Sequence, residues 1–267
     1  MAKSACLSTA IRGEVYLLHP LIGIRTKLGR SRNLLETFNE QAGLFLGRDP
    51  YEVVADFDSE KRTYAYTIKV REKPLPQIGI LVGEILYQIR SSLDHLAWQL
   101  AILRHDPPPD RTEFPICDSA KSYKGSCGKI GGLPLAAQTI VDGLQPYVRK
   151  PAAPHDDPLW ILHRLTNDDK HRVPHLVGGA PGGYEIERRG RDLFIGVTVG
   201  PFDEETPFAE ARILDPAETD VEVEPRFTFE LAFPAESAAK GRFITPELIV
   251  LGQEVEMVIR EFRHFFP

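Results

Sequence analysis

The sequence predicts an α+β fold, a helical bundle of four main helices with an attached antiparallel sheet. Apolar residues recur at three- and four-residue steps in segments beginning near 21, 76, 157 and 245. Residues 173–233 instead alternate apolar with polar in short runs broken by glycine, proline and acidic residues. No repeat or linker divides the 267 residues, so they read as a single α+β domain. It comprises a helical and hairpin part over about 13–172, a sheet over about 173–233 and a closing helix over about 245–265.

Taken in order, the first twenty residues are poorly patterned, with a short element at Gly13 to Leu18. Ile24, Leu28, Leu35, Phe38, Ala42 and Phe45 predict a helix over 21–46, with Gly47 where a C-terminal cap belongs. Tyr51 to Phe57 and Tyr64 to Arg71 alternate around Asp58-Ser59-Glu60-Lys61, the pattern of a hairpin. Pro74 and Pro76 end it and start the central helix, which runs to Arg104 with Ile78, Val82, Ile85, Leu86, Ile89, Leu93, Leu96 and Leu100 in one stripe. From His105 to Pro158 prolines and glycines dominate, and one short helix is expected over 134–144. Asp157 is an N-cap with Pro158 at the first position of a helix reaching about Asp169. In the sheet, Tyr184 to Arg188 and Asp192 to Val199 are expected to pair across Arg189-Gly190-Arg191, followed by strands at 209–214 and 221–233. Thr245 and Pro246 open the last helix.

Composition narrows the function classes. With 42% hydrophobic and 26% charged residues the chain can bury a large core, and no window has the length of a membrane span. Cys6, Cys117 and Cys127 lack metal-ligand spacing and cannot all be bridged, which points to a reducing, cytoplasmic setting. A formal charge of -6 argues against general binding of duplex DNA, although Arg25, Lys27, Arg30 and Arg32 cluster on one helix and Lys69, Arg71 and Lys73 on one strand. The run GSCGKIGG at 125–132 lacks the first glycine and the Ser or Thr of a phosphate loop, which excludes a nucleoside triphosphate site there.

The central helix sets Arg90, Ser91, Asp94 and His95 among its apolar residues. A histidine titrates near neutrality and an arginine is a fixed cation, residue types suited to moving a proton and to holding developing negative charge. Asp94, four residues after Arg90, can hold the guanidinium by a salt bridge. Five residues along a helix turn through about 500°, so Arg90 and His95 lie about 140° apart and one helix alone does not join them. A second polar cluster, Asp168, Asp169, Lys170, His171 and Arg172, ends the helix that begins at Asp157. It is expected to meet the first, with Asp168 or Asp169 answering Arg90 and His171 or Arg172 answering Asp94. Asp168, His171 and His175, with His163 and His95, have ligand chemistry, but Pro174 interrupts helical spacing and no HExxH or CxxC accompanies them, so no metal or cofactor is expected.

The Arg-x4-His spacing of Arg90 and His95 resembles the catalytic motif of the HEPN superfamily of helical ribonucleases, with Ser91 where that family usually has Asn, Asp or His. RSSLDHLAWQLA, EFPI at 113–116, GLQPY at 143–147 and LWILHRLTNDDKHR at 159–172 are together similar to a widespread group of bacterial proteins, a likeness that implies no particular activity. The HEPN resemblance implies a metal-independent endoribonuclease or an inactive RNA-binding relative, with RNA as partner and a homodimer whose copies share the cleft. The alternative is a non-enzymatic interaction or ligand-binding protein in which Arg90, Asp94 and His95 are structural.

Overall fold

The structure, a computed structural model, describes residues 10–11, 14–15, 19–171, 178–189, 193–197, 207–214 and 222–266. The fold is α+β. Two compact units form, one of Met1–Leu35, Gly83–Arg172 and Leu248–Pro267 and one of Glu36–Val82 with Val173–Glu247, and their boundary passes through three helices. Near the start, β1 (Ala10–Ile11) and β2 (Glu14–Val15) pair antiparallel; the other residues of the expected element at Gly13 to Leu18 lie outside the described residues.

The three boundary helices are α1 (Ile22–Leu46), α2 (Pro76–Ile102) and α7 (Ile244–Glu261). Each forms because a period of 3.6 gathers its apolar residues on one side. On α2, Val82, Leu86, Leu93, Leu96 and Leu100 are wholly buried. Gly47 donates to the Gly43 carbonyl at the end of α1, but the left-handed turn comes two residues later, at Asp49 with φ 53°.

The first unit continues through α3 (Ala120–Ser126), α4 (Leu135–Gly143), α5 (Pro146–Arg149) and α6 (Pro158–His171), with 3₁₀ turns at Cys127–Ile130 and Pro154–Asp156. The stretch expected to hold one helix therefore holds three. The added α3 buries none of its residues, so no apolar period marks it. Its start is fixed instead by Ser119, whose hydroxyl accepts from the Ser122 N–H at 3.2 Å.

In the second unit β3 (Tyr51–Asp58) and β4 (Thr63–Val70) form the expected hairpin. Asp58 Oδ1 accepts from the N–H groups of Glu60 and Lys61, both at 3.0 Å, and so closes the turn. The remaining strands are β5 (Gly178–Arg189), β6 (Leu193–Val197), β7 (Ala209–Ile213) and β8 (Glu222–Ala232). They give a sheet in the order β3-β4-β7-β6 and a separate β5-β8 pair. The expected pairing across Arg189-Gly190-Arg191 is not made: β5 pairs with β8 from Gly178↔Ala232 to Arg189↔Glu222, and β6 pairs with β7. Alternation identifies a strand without naming its partner. The register sets Leu193, Ile195 and Val197 opposite Ile213, Ala211 and Ala209, which are buried.

Among the described residues no helix is long and apolar enough to cross a membrane. The core of the second unit is aromatic. Tyr51 lies edge-on to Phe45 with ring centroids 6.1 Å apart and 5.2 Å from Phe229, while Phe227 contacts both Tyr66 and Phe208. Tyr51 also rests on Gly179, where an added Cβ would lie 2.5 Å from two ring carbons. A ring held on two sides by other rings has nowhere to retreat. Gly179→Ala should therefore lower stability by about 1 to 3 kcal/mol. Chemical denaturation checks this, and an unchanged midpoint would show that the ring can yield.

Candidate functional site

The polar residues of α2 divide into two groups with opposite surroundings. Arg90 is turned inward, its side chain 11% exposed. Nη1 donates to Asp94 Oδ1 at 2.7 Å and Nη2 donates to the Phe114 carbonyl at 2.8 Å. The same Asp94 oxygen accepts from the Phe114 N–H at 3.1 Å. One ion pair on the helix thus holds both polar groups of a single peptide residue, whose ring is fully buried. The i, i+4 spacing makes this possible by placing Asp94 one turn above Arg90 on the same edge.

The extended strap over residues 112–117, to which Phe114 belongs, is held similarly from the turn between α4 and α5. Gln145, fully buried between those helices, accepts from the Cys117 N–H at 3.1 Å through Oε1. Its Nε2 donates to the carbonyls of Pro115 and Val141, both at 3.0 Å. EFPI and GLQPY are therefore two halves of one contact, a role their sequences did not declare. Nothing in a primary sequence marks which backbone carbonyl a buried side chain will choose.

His95 is exposed and makes no hydrogen bond among the described residues, so the structure does not join it to Arg90. Partial desolvation of the imidazole, reinforced by the Lys27 ammonium and only partly countered by Asp94, holds His95 below the usual histidine range. Lys27 comes from α1 and lies 5.4 Å from the centre of the Tyr87 ring. Tyr87 and Trp98, 50% and 38% exposed, share the outward face of α2 with His95. Ser91 is buried and its hydroxyl reaches only the Gln88 carbonyl on its own helix, at 3.4 Å. Of the candidates, then, Arg90 and Asp94 come together while Ser91 and His95 stand apart. Lys27, hidden among four basic residues of α1, is the neighbour the sequence did not single out.

Neither Asp168 nor Asp169 bonds Arg90. Asp168 pairs with Arg164 on its own helix at 3.4 Å. Asp169 packs against α2 at Gly83, where an added Cβ would stand 2.3 Å from its Oδ1. That contact lies two turns before Arg90, about 10 Å along the helix, so Arg90 takes Asp94 and the Phe114 carbonyl instead. The backbone of Lys170 and His171 ends α6, while their side chains and the whole of Arg172 and His175 lie outside the described residues. Among the described residues, no group of three or more His, Cys, Asp or Glu could hold a metal ion.

At the other end of α6, Asp157 is the N-cap: its Oδ1 accepts from the Leu159 N–H at 2.9 Å. Its second oxygen faces Arg149 Nε at 3.4 Å, and the same guanidinium bonds Glu254 on α7. Two acids share one cation in a buried setting. Burial pushes the Asp157 carboxyl above the usual carboxylate range, Glu254 adds to the rise, and Arg149 opposes it.

Two expectations follow from these geometries. Arg90→Ala and Asp94→Ala should each cost about 1 to 3 kcal/mol by leaving buried partners unsatisfied. The double variant should lose less than the sum, because both act on Phe114, and a double-mutant cycle without coupling would separate them. Asp157 adds a pH dependence of its own. Its folded pKa is raised, so its contribution is full below the unfolded value and is lost as pH rises through the folded one. Asp157→Asn keeps the cap acceptor and cannot ionise. Unfolding free energies between about pH 3 and about pH 7 should show wild type losing ground to the variant as pH rises, and a constant difference would count against it.

No protein-family model matches the chain, and no curated protein or solved structure matches it.

Proposed function

We propose that the protein works by binding, as a non-enzymatic interaction or ligand-binding protein in which Arg90 and Asp94 are structural. The observation that supports this reading is the inward engagement of Arg90: its guanidinium is buried, with Nη1 on Asp94 and Nη2 on the Phe114 carbonyl. A catalytic cation has to face the charge that develops on a substrate. The reading is tested by incubating the wild-type protein with single-stranded and structured RNA. It expects no cleavage above buffer, and cleavage that disappears in His95→Ala would overturn it.

A second reading has its own observation. An exposed, neutral imidazole at His95 beside the Lys27 ammonium suits an HEPN-like RNA-directed endoribonuclease, or an inactive RNA-binding relative. Here two copies of the chain form a homodimer, His95 moves the proton and Lys27 faces the phosphate. His95→Ala should then abolish cleavage while leaving the melting curve unchanged, since an exposed, unbonded side chain contributes little to stability. Sedimentation should show a dimer at micromolar concentration. Both readings carry a bacterial, cytoplasmic setting; the free thiols of Cys117 and Cys127 suit a reducing compartment.

A further inference from the structure

A groove of about 250 Å³ opens between α1, α2 and α7 within the first unit. Its floor is apolar and fixed: Leu28, Ile85, Ile89 and Leu248 line it and are all buried. Its rim carries one cation and one anion, Arg32 and Glu256, which bond each other. Arg32 is 62% exposed and Glu256 30%, so their pair is a surface one and opens at little cost. Gly252 sits at the wall, and a Cβ added there would meet only Ile89 Cδ1, at 3.9 Å. A glycine inside a helix is unfavourable, and no close packing demands this one. What it does is keep the groove open.

We propose that this groove binds the zwitterion of a free α-amino acid with an apolar side chain. The volume lies below the range typical of drug-sized ligands, which suits a molecule of amino-acid size. The buried floor takes the hydrocarbon. Arg32 receives the carboxylate and Glu256 receives the ammonium, two opposite charges side by side on the rim as they are on an amino acid. A fatty acid would satisfy Arg32 alone and strand Glu256; an alkylamine would do the reverse. The inference does not rest on the reading of Arg90, since none of Arg90, Asp94 or His95 lines the groove.

Calorimetric titration of the full chain with L-leucine, 4-methylpentanoate and 3-methylbutylamine tests it. L-leucine should bind saturably, and each analogue, lacking one charge, should bind weaker by about tenfold or more. Gly252→Leu, which fills the groove while improving the helix, should abolish binding. Arg32→Met and Glu256→Gln, both surface changes, should each weaken L-leucine by about tenfold. Absence of L-leucine binding at about 10 mM would overturn the proposal. So would equal affinity for the single-charge analogues, unchanged affinity in both rim variants, or undiminished binding in a folded Gly252→Leu protein.

Discussion

A guanidinium buried beside an apolar helix is tolerated only when its charge is paired, and the local architecture around α2 follows from that demand. Asp94 satisfies one edge of Arg90 from the same helix, and the other edge requires a carbonyl from outside it. Phe114 supplies that carbonyl and in return has its own N–H taken by Asp94. The strap is thereby brought against α2 by charge, and the burial of Phe114 and Ile116 keeps it there. Gln145 repeats the device a few residues on and ties the turn between α4 and α5 to the same strap.

The same helix geometry decides which polar residues can cooperate. A separation of four residues places Asp94 within reach of Arg90, whereas the one further residue to His95 carries the imidazole round to solvent. Motif spacing alone suggested one group of residues. Their surroundings divide it into a bonded pair, Arg90 with Asp94, and a histidine with Lys27, Tyr87 and Trp98 on the outward face.

Much of the fold was legible because burial imposes a period. The helices from 22, 76, 158 and 244 and the hairpin over 51–70 each carry an apolar repeat or alternation of the right length, and Asp157 with Pro158 announces its helix start. What stayed hidden had no such period. The helix over 120–126 buries nothing, and the partners of β5 and β6 depend on which apolar row faces which, a choice made in three dimensions. The site shows the same divide. The Arg90–Asp94 bond could be read from spacing, but its third member is a backbone carbonyl twenty-four positions away, and every residue has one. Asp169 meets α2 at Gly83 rather than at Arg90, because shared helix ends do not fix axial offset.

The strap over residues 112–117 belongs to no helix and no strand, yet the N–H groups of Thr112, Glu113, Phe114 and Cys117 are all hydrogen-bonded. Side chains stand in for the neighbouring strand. In hydrogen-exchange terms, the amide protons of Phe114 and Cys117 open only when Asp94 or Gln145 lets go, which ties their protection to the unfolding of α2 and of the α4–α5 turn. A map of slow amides would therefore draw the cooperative heart of the first unit straight through a segment that a ribbon drawing renders as loop.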